Sequence, residues 1–294
     1  MARSALGTGE GGQPVITPTV FPDADSLGLA LAREIVHGID SARREGRRYL
    51  LGCPGGRSPR TTYAALARLV AERSLALSHL VVVMMDDYVE QWSGGFRRVD
   101  PSLHHSVEGF ALREIVGPLD RAARPGAGMG PDHLWLPDPE DPPSYDARLT
   151  DAGGVDLFIL ASGDSDGHIA FNPPGAPRDS QTRIIDLAET TRRDNLGTFP
   201  DFSGLDDVPR HGISVGVGTL IEQSRRAVLV APGRSKQEAV RRIGAASDYE
   251  HDWPATLLAC CRQPSLYADP MSASSAQEAH LPTWATTGRN EVRT

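Results

Sequence analysis

The chain has 294 residues, 39% of them hydrophobic and 23% charged, which is enough to bury a substantial core in a globular protein. Its formal charge of −8 and its scattered basic residues exclude the electrostatic footprint of a nucleic-acid partner, so an anionic ligand has to be held by local donors. Apolar residues never run for the roughly 18 positions of a membrane span, and the first residues lack a basic stretch followed by an apolar one, so neither membrane insertion nor secretion is expected.

Residues 1–12, rich in Gly, are expected to fray as an N-terminal tail. Asp23 to Ser26 resembles a helix entry, and Leu27, Leu29, Leu31, Ile35 and Ile39 repeat with mixed helical spacing up to about Arg43. Tyr49–Cys53 predicts a buried strand, Pro54–Pro59 a turn, and Pro59 the first turn of a helix carrying Tyr63, Leu66 and Leu69. Leu80–Met85 is the clearest parallel-strand pattern and ends abruptly at Asp86-Asp87-Tyr88. A helix over 103–115, a Gly/Pro-rich linker at 124–131, a strand at 133–136 and a loop at 137–143 follow. Further strands are predicted at 156–161, 182–187, 213–217, 226–231 and 265–268, with helices near 217–224 and 235–246. This alternation predicts a layered α/β fold around a mostly parallel sheet. Residues 13–269 form a single domain in this reading, and 270–294 a C-terminal tail. Cys53, Cys260 and Cys261 leave an odd thiol, and adjacent cysteines rarely satisfy disulfide geometry, so the chain reads as reduced and cytoplasmic. Cys53 reads as a packed thiol rather than a nucleophile.

Five strand-to-loop junctions carry chemistry. Gly55-Gly56-Arg57-Ser58 lies immediately ahead of a helix, where glycines allow backbone N–H groups close to an anion and the helix terminus adds donors. The run is neither a Walker loop nor a dinucleotide fingerprint, and a glycine turn serving geometry alone is its plain alternative. Asp86 and Asp87 would be costly if buried without partners, so they either cap and solvate a turn or sit in a cleft with Asp86 as a general base. Asp164, Asp166 and His168 follow an apolar strand at the end of a sheet where ligands bind; His168 can move protons near neutral pH, with a carboxylate two residues away to orient its ring. That set is a poor ligand group for a metal, and His104 and His105, pointing about 100° apart on a helix, cannot readily share an ion. Gly216 and Gly218 read as a close-packing device or a ligand loop. Lys236, in the first turn of a helix whose dipole it opposes, is explained either as a solvated side chain or as a cation reaching a bound anion.

Taken in order, Pro59–Tyr63, Met85–Val89, Asp166–Asn172, Thr182-Arg183-Ile184 and Val215–Leu220 resemble the glucosamine-6-phosphate deaminase (isomerase) family, whose superfamily also holds the 6-phosphogluconolactonases. The resemblance runs from about Leu50 to Leu266. It implies a three-layer α/β sandwich around a mainly parallel, Rossmann-like sheet, and an enzyme that opens the ring of a phosphorylated amino sugar, shifts a proton from C2 to C1 and releases ammonia. On this resemblance Asp86 is the C2 base, His168 the ring-opening acid/base and Asp166 its orienting partner. Gly55, Gly56, Arg57, Ser58, Asp87 and Lys236 are then the substrate-binding residues. No metal or organic cofactor is implied, because the substrate's own amine and carbonyl delocalise charge; family members are often assemblies, which leaves a homo-oligomer open.

This chain also departs from the pattern. Pro173-Pro174 stands where the family carries Glu-Pro, which removes a carboxylate from the relay with the histidine, and Gly197 stands where a phosphate-binding arginine is expected, with Arg192 and Arg193 close by. Arg57, in place of a small residue, is the expected replacement for that guanidinium, since arginine grips phosphate bidentately. Of the two positions of the family's allosteric site, Arg183 matches the first and Ile185 replaces the lysine of the second. A lactonase-type hydrolase and a sugar-phosphate-binding protein without turnover are the two competing readings.

Overall fold

The computed structural model describes residues 16–199 and 201–278; the expected N-terminal tail lies outside them. The first half runs β1 (Thr19–Val20), α1 (Ala24–Arg44), β2 (Tyr49–Cys53), α2 (Arg60–Glu72), β3 (Leu80–Met84), β4 (Asp86–Trp92), β5 (Gly95–Arg98), α3 (Val107–Phe110), a π-helical turn (Ala111–Val116), α4 (Gly117–Ala122), β6 (Leu134–Trp135) and α5 (Pro142–Asp151). The second half runs β7 (Leu157–Leu160), β8 (Arg183–Asp186), α6 (Glu189–Thr198), β9 (His211–Ser214), α7 (Val217–Gln223), β10 (Ala227–Ala231), α8 (Gln237–Ala245), β11 (Pro264–Ala268) and α9 (Pro270–Glu278).

The residues of β3 explain the layering. Leu80, Val82 and Met84 pack with Leu27, Leu31 and Ile35 of α1 and with Leu66 and Val70 of α2. Val81, Val83 and the adjoining Met85 join Leu149 of α5, Leu220 of α7 and Val240 of α8 on the other side. Successive strand side chains face opposite ways, so a strand apolar at every position needs helices on both faces, each fully buried Leu or Val contributing ~1.5–3 kcal/mol. The helices meet this demand with apolar stripes; α1 is also capped by the Asp23 carboxylate, which accepts from Ser26 N at 2.7 Å.

The main sheet has the order β1-β11-β10-β7-β2-β3-β6, and every pairing in it is parallel. From β2 the chain steps to β3 and β6 on one side; β7 then returns to the other side of β2 and is followed by β10 and β11. The order therefore reverses between β2 and β7, and the loops leaving these two strands diverge to open a crevice at their carboxyl ends.

Two features differ from the expectations. The strands predicted at 182–187 and 213–217 do not join the parallel sheet: β8 and β9 pair antiparallel with each other and with β4 in a second sheet, β5-β4-β9-β8. The acidic start of β4 hid it as a turn, yet Asp86 faces Ser214 and Asp87 faces Ile213 in register, so the acids open a strand. The expected C-terminal tail begins as a docked helix, α9, whose Ser272 and Ala273 are buried. Ser272 N donates to Asp269 Oδ1 at 2.9 Å, and Gln237 of α8 donates to Met271 O at 2.9 Å. Among the described residues no helix is long and apolar enough to cross a membrane.

Candidate active site

The loops after β2, β3, β7 and β10 converge on one cavity of about 440 Å³. Gly55, Gly56, Arg57 and Ser58 line it from the first loop, Asp86 from the second, Ser162, Asp164 and His168 from the third, and Lys236 from the fourth. Asp194, Asn195, Thr198 and Phe199, on α6 and its end, form a wall on the other side.

Asp86 and Asp87 separate into two roles. Asp86 is 7% exposed, opens into the cavity, and has no hydrogen-bond donor to its carboxylate among the described residues. Burial, with the adjacent Asp87 charge, pushes it up to about 7. A carboxyl group in that state takes up and gives back a proton at neutral pH. Asp87, expected to bind substrate, is instead fully buried away from the cavity: its carboxylate accepts from Tyr88 N at 2.8 Å, Val107 N at 2.9 Å and Glu108 N at 3.1 Å. Burial raises it to about 6 against the pull of those three donors. It caps α3 from β4, because the first N–H groups of a helix have no acceptor within the helix and a carboxylate there also meets the favourable end of the dipole.

His168 and Asp166 form a pair. His168 Nδ1 lies 2.7 Å from Asp166 Oδ1, which also accepts from His168 N at 3.0 Å, and Thr190 Oγ1 of α6 donates to Asp166 Oδ2. Burial works to raise Asp166, but its bonds to His168 and Thr190 outweigh burial and hold it at about 2. A carboxylate fixed at Nδ1 sets the ring's orientation and leaves Nε2 as the working atom. Gly163 makes the approach possible: a Cβ there would stand 2.3 Å from His168 Nδ1. The loop is pinned below by Asn172, whose Nδ2 donates to Val215 O at 2.7 Å and Ile169 O at 3.1 Å.

The residues expected to bind an anion are arranged differently from the simple expectation. Gly56 adopts φ +88°, a left-handed turn that glycine tolerates, and Arg57 and Ser58 follow it into the cavity. A Cβ on Gly197 would lie 4.0 Å from Arg57 Nη2, so the guanidinium stands against the α6 position where an arginine was expected. Arg192 is occupied elsewhere, donating to Val208 O at 3.0 Å, and Arg193 pairs with Glu189 on the surface; neither lines the cavity. Lys236 does reach for an anion, as its position on the helix suggested, but that anion is Asp164: the ammonium pairs with Asp164 Oδ1 and donates to the Ser162 carbonyl.

The remaining sequence candidates are structural. Cys53 is wholly buried, and burial pushes its thiol up to about 12. No disulfide joins the three cysteines. His104 and His105 lie in the turn ahead of α3 rather than on a helix. His105 packs against Tyr88 and Phe202, and burial lowers it to about 4. Gly216 and Gly218 receive the turn at Ser180 at close range, a Cβ on Gly216 falling 1.9 Å from Ser180 O.

Sequence reasoning missed α6 and the groups it brings: its polar run Glu189–Thr198 has almost no apolar stripe to mark a helix. Asp194 lies within 4.8 Å of His168 and Asp166 ligand atoms, a trio able to offer three ligand atoms to a cation. Both Asp166 oxygens, however, are taken up by His168 and Thr190. The Tyr88 hydroxyl and the Asn195 amide nitrogen sit buried beside this wall, neither in a hydrogen bond of good geometry among the described residues.

A crevice at the switch point of a parallel sheet, with a carboxyl group raised to about 7 and a carboxylate-held histidine on its walls, gathers groups suited to proton transfer in one ligand-sized cavity. The sequence matches the family described as glucosamine-6-phosphate isomerases/6-phosphogluconolactonase over residues 22–267, and the chain belongs to that family. It is 36% identical over 256 residues to a glucosamine-6-phosphate deaminase of Beutenbergia cavernae, covering 86% of this chain and 87% of the relative. With one from Mycolicibacterium smegmatis it shares 37% over 243 residues, or 81% and 84%. Among solved structures, a monomeric glucosamine-6-phosphate deaminase superposes with a TM-score of 0.76 at 24% identity, covering 88% of this chain and 99% of that one. The 6-phosphogluconolactonase of Trypanosoma brucei gives 0.62 at 18% identity, with 88% and 99% covered; both show the shared fold.

Proposed function

We propose that the protein converts an amino-sugar 6-phosphate to a ketose 6-phosphate and ammonia, in the cytoplasm. The observation that carries this reading is the convergence of an unpaired carboxyl of raised pKa, Asp86, and the His168–Asp166 pair on one cavity with the Gly55–Ser58 turn and Lys236. His168 transfers a proton from the anomeric hydroxyl to the ring oxygen, which breaks the ring C–O bond and leaves an aldehyde. Asp86 removes the proton from C2, where the adjacent carbonyl stabilises the developing charge, and the same carboxyl group delivers a proton to C1. As C1 is protonated, the amine gives up a proton and the C1 oxygen takes one up, so that C1 becomes an alcohol and C2 an imine; water then adds to the imine carbon and expels ammonia, leaving the ketone. Binding of the remote phosphate fixes C2 against the carboxylate, so that its energy is used at the reacting carbon.

The names of the relatives and the five matched motifs support this reading over lactone hydrolysis. A panel of hexose and hexosamine 6-phosphates in heavy water tests it. Deuterium at C1 and release of ammonia from an amino-sugar phosphate are expected; hydrolysis of 6-phosphogluconolactone without exchange would reject it.

Arg57 is the guanidinium of the anion site in this scheme. Arg57→Ala is expected to raise KM for the amino-sugar phosphate by about tenfold or more, from the ~1.5–3 kcal/mol of a hydrogen bond to a charged group. An Arg57→Ala enzyme of unchanged KM sinks that role.

A further inference from the structure

The anion site contains a charge that opposes its own ligand. Lys236 is 8% exposed, and its ammonium is held between the Asp164 carboxylate and the Ser162 carbonyl. Asp164, on the loop after β7, lines the same cavity as Arg57 and Ser58. Burial works to raise the Asp164 carboxyl, but Lys236, Ser235 and Arg57 outweigh burial and keep it below the usual carboxylate range, so it is ionised at neutral pH. Of the other acids lining the cavity, Asp269 accepts from the backbone donors Gly233 N and Ser272 N, both at 2.9 Å, Asp194 accepts from Ser165 Oγ at 3.1 Å, and Asp86 stands on β4.

We propose that Asp164 is a specificity-determining residue, an internal counter-ion that holds Lys236 and lowers the affinity of this site for dianionic esters. The proposal rests on the reading above that the substrate is a sugar phosphate. Two cations, Arg57 and Lys236, line the cavity, and Asp164 already neutralises one of them; among the described residues Arg57 is the lining cation without a carboxylate pair. A dianion therefore meets one cation's worth of attraction and the repulsion of a carboxylate beside it, in a half-enclosed cavity where charges are weakly screened. The ester must share Lys236 with Asp164 or draw the ammonium away from it. Either way the site favours substrates that are also held by contacts beyond the anion-binding residues over a bare anion.

Calorimetric titration of the full-length protein with inorganic sulfate, a dianion throughout the neutral range, tests this without turnover. Asp164→Asn is expected to bind sulfate about tenfold tighter than the wild type, roughly 1.4 kcal/mol. Asp164→Ser, which removes the same charge with a smaller side chain, is expected to move in the same direction and serves if the amide does not fold. Adding Lys236→Met to Asp164→Asn is expected to erase the gain. Sulfate affinity equal to or weaker than wild type in the folded variants, or no binding by any of them, overturns the proposal, as does a gain that survives loss of Lys236. A protein that releases no ammonia from any amino-sugar phosphate but shows the gain rejects the proposed function and keeps the counter-ion; an active enzyme without the gain does the reverse.

Discussion

Asp86→Asn is expected to lower kcat for deamination by about 10³, within the range of about 10²–10⁴ seen for general acid–base groups, and to abolish deuterium incorporation at C1. The amide keeps the shape and burial of the carboxyl group but cannot accept the proton. Wild-type kcat is expected to fall as pH drops below about 7, because Asp86 is pushed up to that value by burial and by Asp87, and only its ionised form is a base. The substrate's phosphate titrates near about pH 6, so the limb is read at saturation, where ligand binding no longer enters. The same substitution is expected to leave thermal stability unchanged or raised. A carboxyl group whose folded pKa lies above its unfolded value begins to disfavour the folded state as pH rises through the unfolded value, and does so fully above the folded one, since the unfolded chain ionises freely and the buried group does not. An Asp86→Asn enzyme retaining more than a tenth of the wild-type rate removes Asp86 from the chemistry.

His168→Gln is expected to cost about 10³ in kcat, and Asp166→Asn about 10², since the first removes the proton carrier and the second only its orientation. The two defects are expected to be less than additive in the double variant, because both act through the 2.7 Å contact at Nδ1. Open-chain substrate analogues separate this role from that of Asp86: they need no ring opening, so the His168 variant recovers on them and the Asp86 variant does not. Equal losses on cyclic and open forms would falsify the ring-opening assignment. Asp166 also carries a stability readout. Held at about 2 against an ordinary value of 3.8, it stabilises the fold fully above the unfolded value and loses that contribution as pH falls towards 2. The difference in Tm between wild type and Asp166→Asn is therefore expected to narrow as the medium is acidified.

Much of this site was legible because catalytic groups on parallel sheets follow strand ends. The apolar runs of β2, β3, β7 and β10 mark those ends, and Gly55–Ser58, Asp86, His168 and Lys236 come soon after them. Asp87 misled for a physical reason: two adjacent acids look alike in sequence, while successive residues of a strand face opposite ways, so β4 sends Asp86 to the cavity and Asp87 to the start of α3. The second sheet stayed hidden because antiparallel pairing between 86–92 and 211–214 is set by contacts far apart in the chain. α6 stayed hidden because a helix with one face in a polar cavity and another in solvent needs no apolar stripe.

The amino-acid sequence by itself determined the family, the alternation of strand and helix, and the places of Asp86 and His168 just past strand ends, since these depend on local runs of residues and on motifs a few positions long. Tertiary structure alone decided the pairings that give those residues their charge states and partners. It put Arg57 beside Gly197, Asp164 on Lys236, and Asp194 near His168, each pair drawn from separate elements of the chain. A side chain's type is written in one place, but electrostatic contact falls off within several ångströms, so who neutralises whom is settled only where the loops meet.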